Sequence, residues 1–215
     1  MTLTTRNPIV WRSRQIFAKR VRQWRWLISV GCILVGISSG GIPASAESLP
    51  KIGPAPAFSL VDQNGEAFRF NELHGKVAVV TFIFTSCSNS CPLLTAKLVQ
   101  VNGMLGSDAP KVTFVAITVD PMNDSPEVLK KYAQLYSAPE KQFVFLTGDF
   151  DSIHEIVRNY GAYFNTRGER DVDHTFLTSI VDQTGTLRVQ YLGWRFDPDE
   201  FVADLKSLVK EGEQS

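Results

Sequence analysis

Cys87 and Cys91 stand four residues apart in Phe84-Thr85-Ser86-Cys87-Ser88-Asn89-Ser90-Cys91-Pro92. Two thiols at that spacing can close a static disulfide, exchange with a partner's disulfide, or hold a soft metal ion as thiolates. A helix beginning near Cys91-Pro92 would put both sulfurs on one helical face. Its free N–H groups and positive dipole end favour thiolate over thiol. Such a pair suits Cu(I), Zn or an oxidised bridge.

His174 follows 83 residues after Cys91, in Asp171-Val172-Asp173-His174-Thr175-Phe176. An imidazole beside two thiolates makes a donor set of two sulfurs and one nitrogen, which fits copper in either oxidation state. A closed zinc site asks for a fourth protein ligand. Asp171 or Asp173 can supply it, orient the imidazole from behind, or stay solvated. The other two histidines are weaker candidates: His74 lies on a turn and His154 beside the apolar stripe of a helix. Asp120 reads as a residue that holds its own loop, and Trp194 and Phe196 as caps on the core rather than a partner-facing patch. The chain has no G-x-G-x-x-G or Walker motif.

The elements that must position these groups alternate along the chain. Residues 47–57, rich in Pro and small side chains, form an extended linker. The 58–215 body opens with two short strands around Asn64-Gly65. Val77 to Phe84 and Val112 to Val119 are near-continuous apolar runs, as expected of strands covered on both faces. Between them, Leu94, Leu98, Val101 and Leu105 keep helical spacing. Asp124-Ser125-Pro126-Glu127 starts a second helix, and Phe143 to Leu146 is a third strand. Ile153, Ile156, Val157 and Tyr160 mark another helix. Phe176 to Val181 and Leu187 to Tyr191 flank a hairpin turn, and Asp197-Pro198-Asp199-Glu200 caps a last helix. This order predicts one α/β domain, a mostly parallel sheet with one antiparallel hairpin and flanking helices.

Residues 1–46 differ from the body. They hold seven of the 22 basic residues and no acidic one. Removing those seven leaves 15 basic against 22 acidic residues, a net charge of −7. A body so acidic excludes nucleic acid as a favoured partner. The basic stretch runs into a short apolar segment, Trp26 to Ile37, and then Ala44-Ser45-Ala46, the plan of a secretory signal cleaved after Ala46 or kept as a membrane anchor. Val30-Gly31-Cys32 has the outline of a lipoprotein site, but apolar residues continue past it, so Cys32 belongs to the signal. The exported body then has two cysteines in an oxidising, extracytoplasmic compartment.

The motifs together resemble the Sco/SenC family of thioredoxin-fold copper chaperones. Matches span most of residues 52–208. They include Thr81 to Cys87 with Cys91-Pro92, Val119-Asp120-Pro121 through Leu129, Leu146-Thr147-Gly148, Val172-Asp173-His174-Thr175 and Val181 to Gly185. The resemblance implies a thioredoxin-like fold in which the loop before the hairpin faces the cysteine turn. Thioredoxin-type oxidoreductases keep a cis-proline in that loop. No proline occurs here between Pro139 and Pro198, and His174 takes the place. It further implies an exported or membrane-tethered protein that binds copper through Cys87, Cys91 and His174. Its partner would be subunit II of cytochrome c oxidase, alongside other copper carriers or thiol reductants. One departure is visible: the family usually has Pro and Asp after the first cysteine, where this chain has Ser88 and Asn89. The competing expectation is an extracytoplasmic thiol–disulfide oxidoreductase using Cys87 and Cys91.

Overall fold

Apolar runs without a polar interruption decide where a sheet must be covered on both faces. The computed structural model describes residues 48–166, 172–174 and 177–214, so the signal or anchor expected over 1–46 lies outside the described residues. The elements in chain order are β1 (Gly53–Pro54), β2 (Ser59–Asp62), β3 (Ala67–Arg69), β4 (Val77–Ile83), α1 (Ser90–Leu105), β5 (Val112–Thr118) and α2 (Pro126–Leu135). They continue with β6 (Phe143–Thr147), α3 (Phe150–Asn159), β7 (Phe164–Thr166), β8 (Val172–His174), β9 (Leu177–Val181), β10 (Thr186–Leu192) and α4 (Pro198–Glu213).

The eight-stranded sheet has the order β1-β10-β9-β4-β5-β6-β2-β3. Every residue of β4 and β5 is buried, and these strands pair in parallel from Val77↔Val112 to Ile83↔Thr118, with β6 parallel beyond them. The β9/β10 hairpin joins β4 antiparallel, as its turn residues predict. The sheet is nevertheless wider than the alternation implies. The β2/β3 hairpin adds antiparallel to β6 on the other side, so three parallel strands sit between two antiparallel flanks. Its Asn64-Gly65 turn is legible in the sequence, but nothing local says which strand a hairpin will join.

Helices supply the covering layers. Leu94, Leu98, Val101 and Leu105 of α1 are buried, and α1 packs against α4, which buries Phe201, Leu205 and Leu208. Ser125 and Asp197 cap α2 and α4 with Pro in the first turn of each, as expected from sequence. Among the described residues no helix is long and apolar enough to cross a membrane.

The lead-in is extended, as its prolines require, but it lies along the sheet. Ile52 N–H donates to Leu187 O and Ala55 N–H to Gly185 O. Arg188, 3% exposed, fixes it there. Its guanidinium donates to the carbonyls of Leu49 and Pro50, to Asp182 Oδ2 at 3.0 Å and to Glu211 Oε2 at 2.9 Å. Burial pushes the Asp182 carboxyl up, but hydrogen bonds from Thr184, Thr186 and Arg188 outweigh it and hold the group below its ordinary range. Its contribution to stability is therefore complete above the ordinary carboxylate range and is lost as pH falls below it. Replacing Arg188 by Met strands a buried carboxylate. The expected outcome is a loss of about 3 kcal/mol in denaturant unfolding, with less sensitivity of the midpoint to acid than in the wild type.

Candidate dithiol site

The buried strand β4 delivers the chain to the carboxyl end of the central strands, and Val119 N–H on Ile83 O keeps β5 alongside as it leaves. Phe84 remains buried, and Cys87 N–H closes a turn onto Phe84 O at 3.3 Å. Helix α1 starts at Ser90, with Asn89 at the N-cap making no side-chain cap bond. Its first N–H groups therefore need other acceptors. One is sulfur: Cys91 N–H donates to Cys87 Sγ at 3.4 Å, and the backbones of Asn89 and Ser90 add hydrogen bonds to the same atom.

This corrects the expectation of two sulfurs on one helical face. Cys87 precedes α1, and the loop folds it back over the helix start, so the sulfurs meet across a turn. Cys91 is fully buried and Cys87 half-buried, and the two are not bridged. The Cys91 thiol donates its hydrogen bond to Cys87, which with the backbone N–H groups pulls the Cys87 pKa down to about 5 against the opposing effect of burial. Cys91 is pushed far up by that same bond, by burial and then by the negative charges of Cys87 and Asp124, while a backbone hydrogen bond from Phe84 opposes the shift. One proton is thus shared by two sulfurs and resides on the inner one.

The sequence marks Asp124 only as part of a helix start. In the structure it is completely buried. Oδ2 accepts from Thr85 N–H at 3.1 Å and from the Thr118 hydroxyl at 2.5 Å, and Oδ1 accepts from the Thr85 hydroxyl. Burial raises its pKa, and the three hydrogen bonds oppose that rise. Asp120 holds its own loop, as expected: both its carboxylate oxygens accept from Asn123, and its carbonyl accepts from Asn123 and Asp124 N–H.

His174 ends β8, opposite Phe164 of β7. Nothing in the sequence pattern announces that two-stranded unit. The side chains of Asp173 and His174, and all of Asp171, Thr175 and Phe176, lie outside the described residues. Register still orders the backbone. Thr178 of β9 faces Thr81 of β4, so β9 begins beside the end of β4 from which the cysteine loop springs. His174 comes three residues before β9. Among the described residues no group of three or more His, Cys, Asp or Glu side chains could hold a metal ion. The remaining candidates stand apart from the sulfurs in role. His74 is exposed with its ring edge against Phe70, and His154 stacks on Phe150. Phe196 is buried on Phe201 at 4.5 Å, with Trp194 partly buried against the same core.

A thiolate over a helix start with a buried thiol beneath it, on a parallel strand-helix-strand core, is the setting in which comparison with known proteins becomes decisive. The SCO1/SenC model matches residues 48–210. This chain belongs to the SCO1/SenC family. An SCO2-like protein of Rickettsia typhi is 34% identical over 141 residues, 63% of this chain and 67% of that one. The copper-bound structure of ScoI from Bradyrhizobium japonicum superposes with a TM-score of 0.64 at 31% identity, covering 72% of this chain and 99% of that one. BsSco, a member of the Sco family of cytochrome c oxidase assembly proteins in which a disulfide switch is identified, gives a TM-score of 0.67 at 28% identity, over 76% and 98%. The thioredoxin-like α/β fold of these Sco proteins is that of this chain.

Within this SCO1/SenC domain the two thiols should differ sharply toward iodoacetamide. Because Cys87 is a thiolate above about pH 5, its alkylation rate should be nearly flat from pH 8 to pH 6 and half-maximal near pH 5. Cys91 should remain protected throughout. Peptide mass spectrometry across that range checks both; an ordinary thiol profile at Cys87, still rising toward pH 9, would sink the assignment.

Proposed function

We propose that this protein carries copper, binding it through Cys87, Cys91 and His174, and passes it by ligand exchange to subunit II of cytochrome c oxidase. The observation that carries this reading is the unbridged sulfur pair at the start of α1, with Cys91 N–H donating to Cys87 Sγ at 3.4 Å. Soft thiolates suit Cu(I), and an added imidazole suits Cu(II). Copper-bound Sco relatives from Bradyrhizobium japonicum and yeast support the choice of metal. The beginning of β9 beside the end of β4 supports His174 as the third ligand, since His174 lies only three residues before β9 in the chain. Residues 1–46 supply the export signal or membrane anchor that puts residues 47–57 and the 58–215 domain outside the cytoplasm.

Each residue has a distinct task in this reading. Cys87 meets the incoming ion as an anion. Cys91 must give up its proton before it can bind, so loading through both sulfurs releases one proton from the pair at neutral pH, and acid opposes loading. His174 completes the set for Cu(II). Ser88 and Asn89, exposed between the cysteines, leave the loop without the carboxylate usual in the family.

A second reading rests on the buried thiol behind the thiolate. Cys87 attacks one sulfur of a partner's disulfide, and the other sulfur leaves as a thiolate. Cys91 gives up its proton and attacks Cys87 Sγ, freeing the partner's second thiolate. This protein ends as the Cys87–Cys91 disulfide and two electrons have passed to the partner. BsSco, with its identified disulfide switch, supports such chemistry in a relative.

Copper titrations of the exported protein separate the readings. Cys87→Ser and Cys91→Ser should each abolish stoichiometric Cu(I) binding, and His174→Ala should weaken Cu(II) at least about tenfold while sparing Cu(I). Equal binding of both oxidation states by His174→Ala and wild type would remove that residue from the ligand set. Repeated metal-free turnover of a disulfide substrate, unaffected by His174→Ala, would favour the oxidoreductase.

A further inference from the structure

We infer that Asp124 is the positioning residue of the dithiol: its buried carboxylate, bound to both the backbone and the hydroxyl of Thr85, holds the turn that keeps Cys91 covered and Cys87 over the helix start. Asp124 has no exposed surface. All three donors it receives come from two points, Thr85 ahead of Cys87 and Thr118 at the end of β5. Thr85 lies inside the turn closed by Cys87 N–H on Phe84 O. The carboxylate therefore ties the first bend of the cysteine loop to the last residue of a fully buried strand. A buried carboxylate kept among three donors is costly unless each of those bonds is made, which makes this an all-or-none clamp rather than a loose contact.

The clamp acts on the sulfurs through backbone. Phe84, at one end of the turn, also hydrogen-bonds the Cys91 sulfur, and Cys87, at the other end, accepts from Cys91 N–H. Freeing Thr85 loosens both ends together. Neither Ser88 nor Asn89 offers a substitute restraint, since both are exposed and Asn89 makes no side-chain cap bond. The hydrogen bonds of Asp124 go to threonines and not to sulfur; it sets where the sulfurs sit. Its action on the thiols precedes any metal, so it is separable from the copper reading.

The test is metal-free iodoacetamide labelling of the native full-length protein at pH 7, with each cysteine followed by peptide mass spectrometry and the unfolding midpoint measured in parallel. Asp124→Asn should raise Cys91 labelling about tenfold, as expected for losing a charged buried hydrogen bond, under conditions where the protein stays folded. Thr85→Val, which removes one donor and keeps the backbone N–H, should raise it by a smaller factor, and Thr85→Ser should restore the wild-type rate. The Thr85 pair keeps the inference testable if Asp124→Asn does not fold. Cys91 labelling unchanged in folded Asp124→Asn, or equal in Thr85→Val and Thr85→Ser, would overturn it, whatever happens to the unfolding midpoint.

Discussion

The start of α1 governs the chemistry of this domain. A helix cannot satisfy its own first N–H groups, and here no side-chain cap answers them at Asn89. The Cys87 sulfur answers instead, and it does so best as an anion. The hydrogen bond from the Cys91 thiol and those from the N–H groups at the helix start together keep the outer sulfur charged and leave the proton on the inner one, and the loop between them must be tight enough to bring Cys87 back across the helix mouth. The rest of the fold holds that mouth in place.

Two fully buried parallel strands do the holding. β4 and β5 are paired over seven residues each, with α1 leaving from one and the Asp124 loop from the other. The topology brings these two loops together at the carboxyl ends of the strands, the usual location of sites in open α/β sheets. Asp124 belongs to the loop after β5, yet its oxygens serve the loop after β4. Membership of the SCO1/SenC family gives this geometry a context, and the relatives bound to copper share the fold that produces it.

Much of this is legible in the residues themselves. Val77 to Phe84 and Val112 to Val119 can only be covered strands, the helical stripes of α1, α3 and α4 repeat at the right spacing, and the Pro and Ser or Asp residues at the starts of α2 and α4 announce their caps. The dithiol is also legible, because two cysteines near a helix start narrow the chemistry to a few cases. The features that escape the sequence depend on long-range pairing. The β2/β3 hairpin joins β6 because of which edge is open, which no local pattern states. The pairing of β7 with β8 is of the same kind. Spacing places Cys87 wrongly on the helical face, because spacing alone cannot tell a helical turn from a loop folded over its end. Asp124 is hidden for a different reason: a carboxylate beside a helix N-terminus is ordinarily a solvated cap, and its burial depends on Thr85, which lies 39 residues earlier in the sequence.

The Arg188 clasp fixes where the polypeptide enters the fold. Gly53 and Pro54 pair with Leu187 and Thr186, Leu187 pairs with Val181, and Val181 lies opposite Ala78 at the beginning of β4. The dithiol loop leaves from the other end of that strand, about 20 Å away at some 3.3 Å per residue. Tension applied through Leu49 is therefore borne by a buried guanidinium and a sheet edge at the opposite pole. A pull at Leu49 would thus load β1, β10 and the Arg188 contacts before it reached the turn that carries the sulfurs.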